Sequence, residues 1–446
     1  MSQKKSQSTI YREKGNKYYL SSQCEGISPC LQLSRLKDSL LWYEKAKHAS
    51  SKQDERSSAA KNIAVASKRI GVFMSERNNS VRERHYYFKE ALSNFDLSYR
   101  FGQNKDPEWI NKLLVSYRET LQQAIDDISL LEFEQKMLAL RDYAECILNA
   151  SHIHSELLLE IASMRFHYGI SSFNKKDYKT CLYQMQECYR PIEEARRHGR
   201  NHTYVIVEAN VMEQDIFLNT CVAESAQVRL KADDVLHSLL MDEENLSMDM
   251  VWKVVDLYKE AIILTREKDV EMEAIALSRL GNVYDKILKD KLKAKAYFRR
   301  SIQLALSLHP RIFDAEDWYK DCHNVLERYQ QEVVKQEADE WNNDRKSYVE
   351  ELKDTIREVE KIKERGDEPF LKHIYRHHPP LGRNCTLGEF PCRGSDMFRT
   401  EMKQLFRTAV IHYHPDRVDA KKEGKKIKVL MEEIHKLLTQ RYESYK

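Results

Sequence analysis

The stretch Arg279-Leu280-Gly281-Asn282-Val283-Tyr284, followed by Ala294-x3-Phe298-x2-Ser301 and then Pro310, decides how this chain folds. Gly281 has no side chain, so a second helix can approach its backbone closely. Ala294 allows the same from the other helix, and Phe298, one turn on, fills the space between. The spacing predicts a helical hairpin closed by a proline that cannot continue its second helix. The chain as a whole agrees: it holds 12 glycines and 9 prolines in 446 residues. Strands need turns, and turns draw on those two residues, so their scarcity predicts helices joined by short links. Charged residues at 32% against 41% hydrophobic ones fit amphipathic helices with one wet face.

The same pattern of small residues recurs. Gly169 lies twelve residues before Cys181, with Asp177-Tyr178 at the turn and Cys188 seven residues further on. Near the start, Arg12 to Tyr18 precedes Ser39-x3-Tyr43-x2-Ala46, with an insertion that includes residues 21–30. Ala91-x3-Phe95-x2-Ser98, stopped by Gly102, reads as a second helix whose partner is 63–73, and Val254-x3-Tyr258-x2-Ala261 is a fifth unit. Asp106-Pro107-Glu108 reads as a helix start: aspartate caps, proline loses nothing in the first turn, and glutamate faces the positive dipole end. The Gly281 unit resembles a tetratricopeptide (TPR) repeat with one residue more than usual between its small positions, and the resemblance extends over residues 8–310. It implies an α-solenoid; a generic helical array is the alternative. Either arrangement offers an extended face for binding proteins or peptides.

From 314 to 365 the apolar residues Trp318, Cys322, Val325, Tyr329, Trp341, Tyr348, Leu352, Ile356, Val359 and Ile362 follow three-and-four spacing with no breaker. One long helix, or two nearly continuous ones, is expected, capping the repeats with its first half and projecting with its second. Then the composition breaks. Gly366, Pro369, Pro379, Pro380, Gly382, Gly388, Pro391 and Gly394 crowd into one short stretch, which marks a boundary. Three regions follow: a repeat array over 1–310, capping or linker helices over 311–366, and a separate module over 367–446.

Within that module Phe398, Met402, Leu405, Ala409 and Tyr413 make one apolar helix face, while Arg399, Lys403 and Arg407 form a basic row on another. Proline ends the helix at His414-Pro415-Asp416-Arg417. A basic loop, Lys421-Lys422-Glu423-Gly424-Lys425-Lys426, leads to a second amphipathic helix carrying Ile427, Leu430, Met431, Ile434, Leu437, Leu438 and Tyr442. Between residues 393 and 446 there are 13 lysines and arginines against 8 acids, so this basic module stands beside a near-neutral remainder. Taken singly, His414 reads as a helix C-cap, Asp416 as a turn residue and the lysines as a solvated loop.

Taken together, two antiparallel helices with His-Pro-Asp at the tip and Tyr413 before it resemble the J domain of the DnaJ family. The resemblance implies an all-α chain: a TPR-like solenoid, a long helix and a C-terminal J-domain hairpin. It also implies a co-chaperone that recruits a DnaK-type (heat-shock 70 kDa) chaperone and stimulates its ATP hydrolysis. His414, Pro415 and Asp416 would be the trigger, and Lys403, Arg407 and Arg417 would dock electrostatically on an acidic surface. No chemistry by this chain is implied, so it is not expected to be an enzyme. The sequence departs from the family at His412 and Thr408, where basic residues are commoner, and in the loop of about twenty residues after 369–375. The alternative is therefore a TPR scaffold or adaptor with a structural, non-stimulating J-like module.

Other chemistry is weaker. Arg12-x3-Asn16, with Asn62 later, is similar to part of the carboxylate clamp by which some TPR domains hold acidic chaperone tails, though no Lys-x3-Arg pair completes it. His373, His377, His378, Cys385 and Cys392 cluster in sequence, but their spacing matches no zinc set. No metal or other cofactor is expected. The lysine-rich loop lacks interleaved aromatics, so no nucleic-acid partner is expected. There is no nucleotide-binding glycine loop and no nucleophile elbow. Nine scattered cysteines and the absence of any long apolar run point to a reducing, cytoplasmic setting with buried thiols acting as small hydrophobes.

Overall fold

A computed structural model describes residues 5–241, 247–381, 385–391, 398–419 and 422–445. The N-terminal residues 1–4, together with Gly382, Cys392, Arg393, Gly394, Lys421 and Lys446, lie outside the described residues. The described chain is all-α, with seventeen α-helices and no strand among those residues. No described helix is long and apolar enough to cross a membrane. The chain divides into two compact units, Met1–Cys322 and His323–Lys446. The division at 322/323 differs from the expected boundaries at 310 and 366, because residues 323–366 pack with the C-terminal module.

The first unit is built from antiparallel pairs. Helices α1 (Gln7–Ser21) and α2 (Pro29–His48) pack together, as do α3 (Gln53–Glu76) and α4 (Val81–Phe101). Helices α5 (Pro107–Asp127) and α6 (Phe133–Cys146) are placed differently: α5 packs on α3 and α4, and α6 on α4 and α7. The pairing resumes with α7 (Ser151–Asn174) and α8 (Tyr178–His198), α9 (Thr203–Met241) and α10 (Met248–Thr265), and α11 (Val270–Lys286) and α12 (Lys291–Ser307). Helix α5 starts as its sequence predicts. Asp106 caps it by accepting the Glu108 N–H, and Pro107 occupies the first turn.

The five hairpins share one contact. A short side chain on one helix donates to the facing backbone carbonyl: Ser8 to Ala46, Ser98 to Ser57 and back, Cys188 to Ala162, Ser225 to Ala261, and Ser301 to Ala274. Each hydroxyl or thiol thus finds an acceptor without water while keeping the helices close. One residue three positions earlier on the second helix fills the gap: Tyr43, Phe95, Met185, Tyr258 or Phe298, all buried. Opposite it stands a residue with almost no side chain. A Cβ on Gly15 would meet the Tyr43 ring at 2.5 Å, and one on Gly281 the Phe298 ring at 2.8 Å. Ala64 and Ala232 occupy the same places in their helices and are fully buried. The sequence repeat is therefore a repeat of helix-to-helix distance.

Buried cysteines 181, 188, 221 and 322 do act as small core residues, whereas Cys24 and Cys30 are exposed. Burial raises the Cys181 thiol to about 11 and Cys188 to about 12, so both stay protonated.

Helix α13 (Asp317–Glu351) begins in the first unit, where the Ser278 hydroxyl donates to the Trp318 carbonyl and Cys322 is buried beside Ser301. It runs on into the second unit and is followed by α14 (Lys353–Glu364). These are the two nearly continuous helices anticipated, but the later part does not project. Val359 of α14 is buried in one core with Phe370, Leu371 and Ile374 of α15 (Asp367–His377). That core is shared with Met402, Phe406 and Ala409 of α16 (Phe398–His412) and Met431, Ile434 and Leu438 of α17 (Lys425–Glu443). Arg345 of α13 pairs with Glu432 and Glu433 of α17. Lys425 pairs with Asp344, Lys426 with Glu351, and the Lys428 ammonium sits 5.2 Å from the Trp341 ring centroid.

Candidate functional site

Helix α16 buries Met402, Phe406, Ala409 and then Tyr413, a 4-3-4 spacing that lays one stripe on the core. Arg399, Lys403 and Arg407 form a row that flanks this stripe on one side, with Lys403 partly buried. None of the three makes an ion pair with a described residue. The cations of α17 are spent differently, since Lys425 and Lys426 are already held by α13.

The helix stops where Pro415 forces it to. His414 is extended at φ −63°, ψ 131°, as a residue before proline prefers, and Pro415–Arg417 forms a single 3-10 turn. The turn closes on itself: the Arg417 N–H donates to the His414 carbonyl and the Asp416 N–H to His414 Nδ1 at 3.3 Å. The Asp416 carboxylate also lies 3.5 Å from the same nitrogen. The His414 side chain is 50% exposed and the Asp416 carboxylate 89% exposed, so the bend faces solvent.

The base of the tip is tied down. Tyr413 is buried and donates its hydroxyl to the His378 carbonyl at 2.9 Å, and its ring meets Tyr375 edge-on. Tyr375 in turn hydrogen-bonds His412 Nδ1 at 2.7 Å. Burial first, and then the Arg417 cation, push the His412 imidazole below its ordinary range, so the ring stays neutral beside the basic tip. Arg417 contacts the Cys385 sulfur at 3.8 Å. Of the residues expected to dock a partner, His414, Pro415, Asp416, Arg417 and Tyr413 come together at one tip, and Lys403 and Arg407 lie along the helix leading to it.

No protein-family model and no curated protein matches the chain.

The second expected cluster, in the first unit, also assembles. Asn16 accepts from the Tyr43 hydroxyl at 2.8 Å and from the Asn62 amide at 3.3 Å. Arg12 donates to Thr9, and its Nε is buried without a partner. Sequence reasoning missed what surrounds them. Lys61 and Lys105 sit 5.4 and 4.2 Å from the Trp109 ring centroid. Burial first, then Lys112, lowers the Lys61 ammonium from its ordinary value. Lys105 is lowered chiefly by burial and further by Arg12 and Lys61, against the pull of Asp54. Lys105 also donates to the Ser58 hydroxyl at 2.6 Å. The only sequence trace of the arrangement was Trp109 flanked by lysines four and three residues away.

His373, His377 and His378 do gather, with ring centroids 4.6 and 5.9 Å from His373. Among the described residues, no group of three or more His, Cys, Asp or Glu side chains is arranged to hold a metal ion.

Proposed function

We propose that this protein is a co-chaperone. In this assignment α16, the His414-Pro415-Asp416 turn and α17 act as a J domain, which recruits a DnaK-type (70 kDa heat-shock) chaperone and stimulates its ATP hydrolysis. The five hairpins act as a TPR-like α-solenoid that binds client or adaptor proteins. The observation that carries the proposal is the solvent-facing His-Pro-Asp turn beside a row of unpaired cations on α16. A rigid tip of that kind suits contact with an acidic surface that is fast, weak and sensitive to salt. The imidazole and carboxylate transfer no proton here. They bias a conformational equilibrium in the ATPase, and the chemistry belongs to the partner.

The cluster of Arg12, Asn16, Lys61, Asn62 and Lys105 suits an acidic chain terminus, such as the tail of a cytosolic chaperone, because cations and amide donors both complement carboxylates. A cytoplasmic setting is in keeping with the free cysteines.

Single-turnover ATP hydrolysis by a purified DnaK-class chaperone tests the assignment. The wild-type chain should accelerate hydrolysis, and folded His414→Gln should not. Absence of acceleration by the wild type would leave the scaffold alternative, in which the module is structural.

A further inference from the structure

The His414 ring does not stand alone at the tip. His435, in the middle of α17, meets it edge-to-face with ring centroids 5.1 Å apart and planes at 81°. The His435 ring is only partly exposed, and its Nδ1 is buried with no hydrogen-bond partner. The Val410 backbone of α16 hydrogen-bonds the same ring, which ties it to the helix leading to the tip. Burial and the neighbouring His414 ring both disfavour a charge on His435, while the Val410 backbone on α16 favours one. His435 thus lies where α16, α17 and the tip converge.

The tip itself has too few contacts to hold His414. Pro415 restricts the backbone, and Nδ1 is held weakly by the Asp416 N–H at 3.3 Å, but half of the side chain is in water. The His435 contact supplies the missing restraint from a helix that is fixed on its other face by Arg345 and on its inner face by Met431, Ile434 and Leu438.

We propose that His435 is a positioning residue that sets the orientation of the His414 imidazole through edge-to-face ring contact. The proposal rests on the co-chaperone assignment and deepens it: α17 contributes to the trigger without touching the partner chaperone. It also gives α13 a part, since the helix that bears His435 is the one α13 grips.

The test uses the full chain in the single-turnover assay with a purified DnaK-class chaperone. His435→Gln keeps the length and a polar end but removes the ring, and His435→Phe keeps a ring without the nitrogens. His435→Gln should stimulate about 3- to 10-fold less than the wild type, the range set by loss of one aromatic pair. His435→Phe should return to within about twofold of wild type. The ring-proton resonances of His414 should shift in His435→Gln through loss of the ring current, with the thermal midpoint of both variants near wild type. Stimulation by folded His435→Gln equal to wild type, while His414→Gln is inactive, would overturn the positioning role and leave the co-chaperone assignment standing. A wild-type chain that fails to stimulate would overturn the assignment itself, and the positioning role with it.

Discussion

The two units are held together by different physics. In Met1–Cys322 each hairpin is closed by small residues, one large buried side chain and a short side chain bonded to a facing carbonyl. Those contacts are neutral and repeat at fixed spacing. In His323–Lys446 the apolar core is joined by ion pairs between residues far apart in sequence: Arg345 with Glu432 and Glu433, Lys426 with Glu351, and Arg441 with Asp367. Tyrosines and histidines then fix the tip. The first unit has long-range ion pairs too, among them the buried Arg84 with Asp127 and the pair Arg118 with Glu156, but they join neighbouring helices around the hairpins and do not close the hairpins themselves. In the second unit the pairs tie α13 and α15 to α17, so its alignment is the more sensitive to salt.

The strongest way to break this contrast is at a hairpin. Phe298→Ala should destabilise the first unit by about 4 kcal/mol, since it empties the space that Gly281 leaves open. Amide hydrogen exchange in α11 and α12 would report it. A loss under about 1 kcal/mol would mean the ring is not the element that closes the pair.

Next comes the grip of α13 on α17. Arg345→Ala leaves Glu432 and Glu433 side by side and partly buried, and should cost the second unit about 1–2 kcal/mol. Faster exchange of α17 amides would reveal it. Unchanged exchange would return residues 323–366 to the projecting role that the sequence suggested.

A comparable effect, on function rather than stability, is expected from Lys403→Glu with Arg407→Glu. Neither side chain has an ion-pair partner among the described residues, so the fold should persist while the chaperone concentration for half-maximal stimulation rises about tenfold. Charge reversal without effect would separate the basic row from docking.

Acidification should produce a smaller change, and one that sharpens the contrast. Burial lowers His373, His378, His412 and His435 in the second unit, with neighbouring imidazoles or Arg417 adding to it, and it lowers His152 and His154 in the first. A histidine lowered on folding binds protons more readily when unfolded. Its contribution is therefore intact above the unfolded value near pH ~6.5 and is lost as pH falls through it. Between neutral pH and about pH 5.5, exchange in α16 and α17 should accelerate before that in α11 and α12. The reverse order would refute the assignment of titrating groups to the two units. The smallest effect is expected from Lys425→Ala, an exposed pair that salt already screens. Exchange in α17 should be indistinguishable from wild type at about 0.5 M salt.

Much of this was written locally. The start of α5 follows from Asp106-Pro107-Glu108, and the stop of α16 from the proline after His414, because caps and proline act within one turn. Gly281 and Phe298 were recognisable as partners because their spacing is that of two helices joined by a short link. The cations around Trp109 were not recognisable as a group with Arg12, since they lie on separate helices and loops whose approach no local pattern encodes. The second half of 314–365 does not project, for a related reason. A thin apolar stripe is compatible with projection or with packing, and the choice lies in carboxylates and cations some eighty residues away.

The order of amino acids by itself determined that the chain is helical, where its hairpins close, and that a histidine, a proline and an aspartate interrupt two amphipathic helices. Each of these depends on interactions within a turn or across a short link. Tertiary structure alone decided that residues 323–366 belong with the C-terminal module, that α17 spends its lysines on α13 while α16 keeps its own free, and that His435 lies against His414. Charges and rings act through space, and their energies depend on distances that only the packed chain defines.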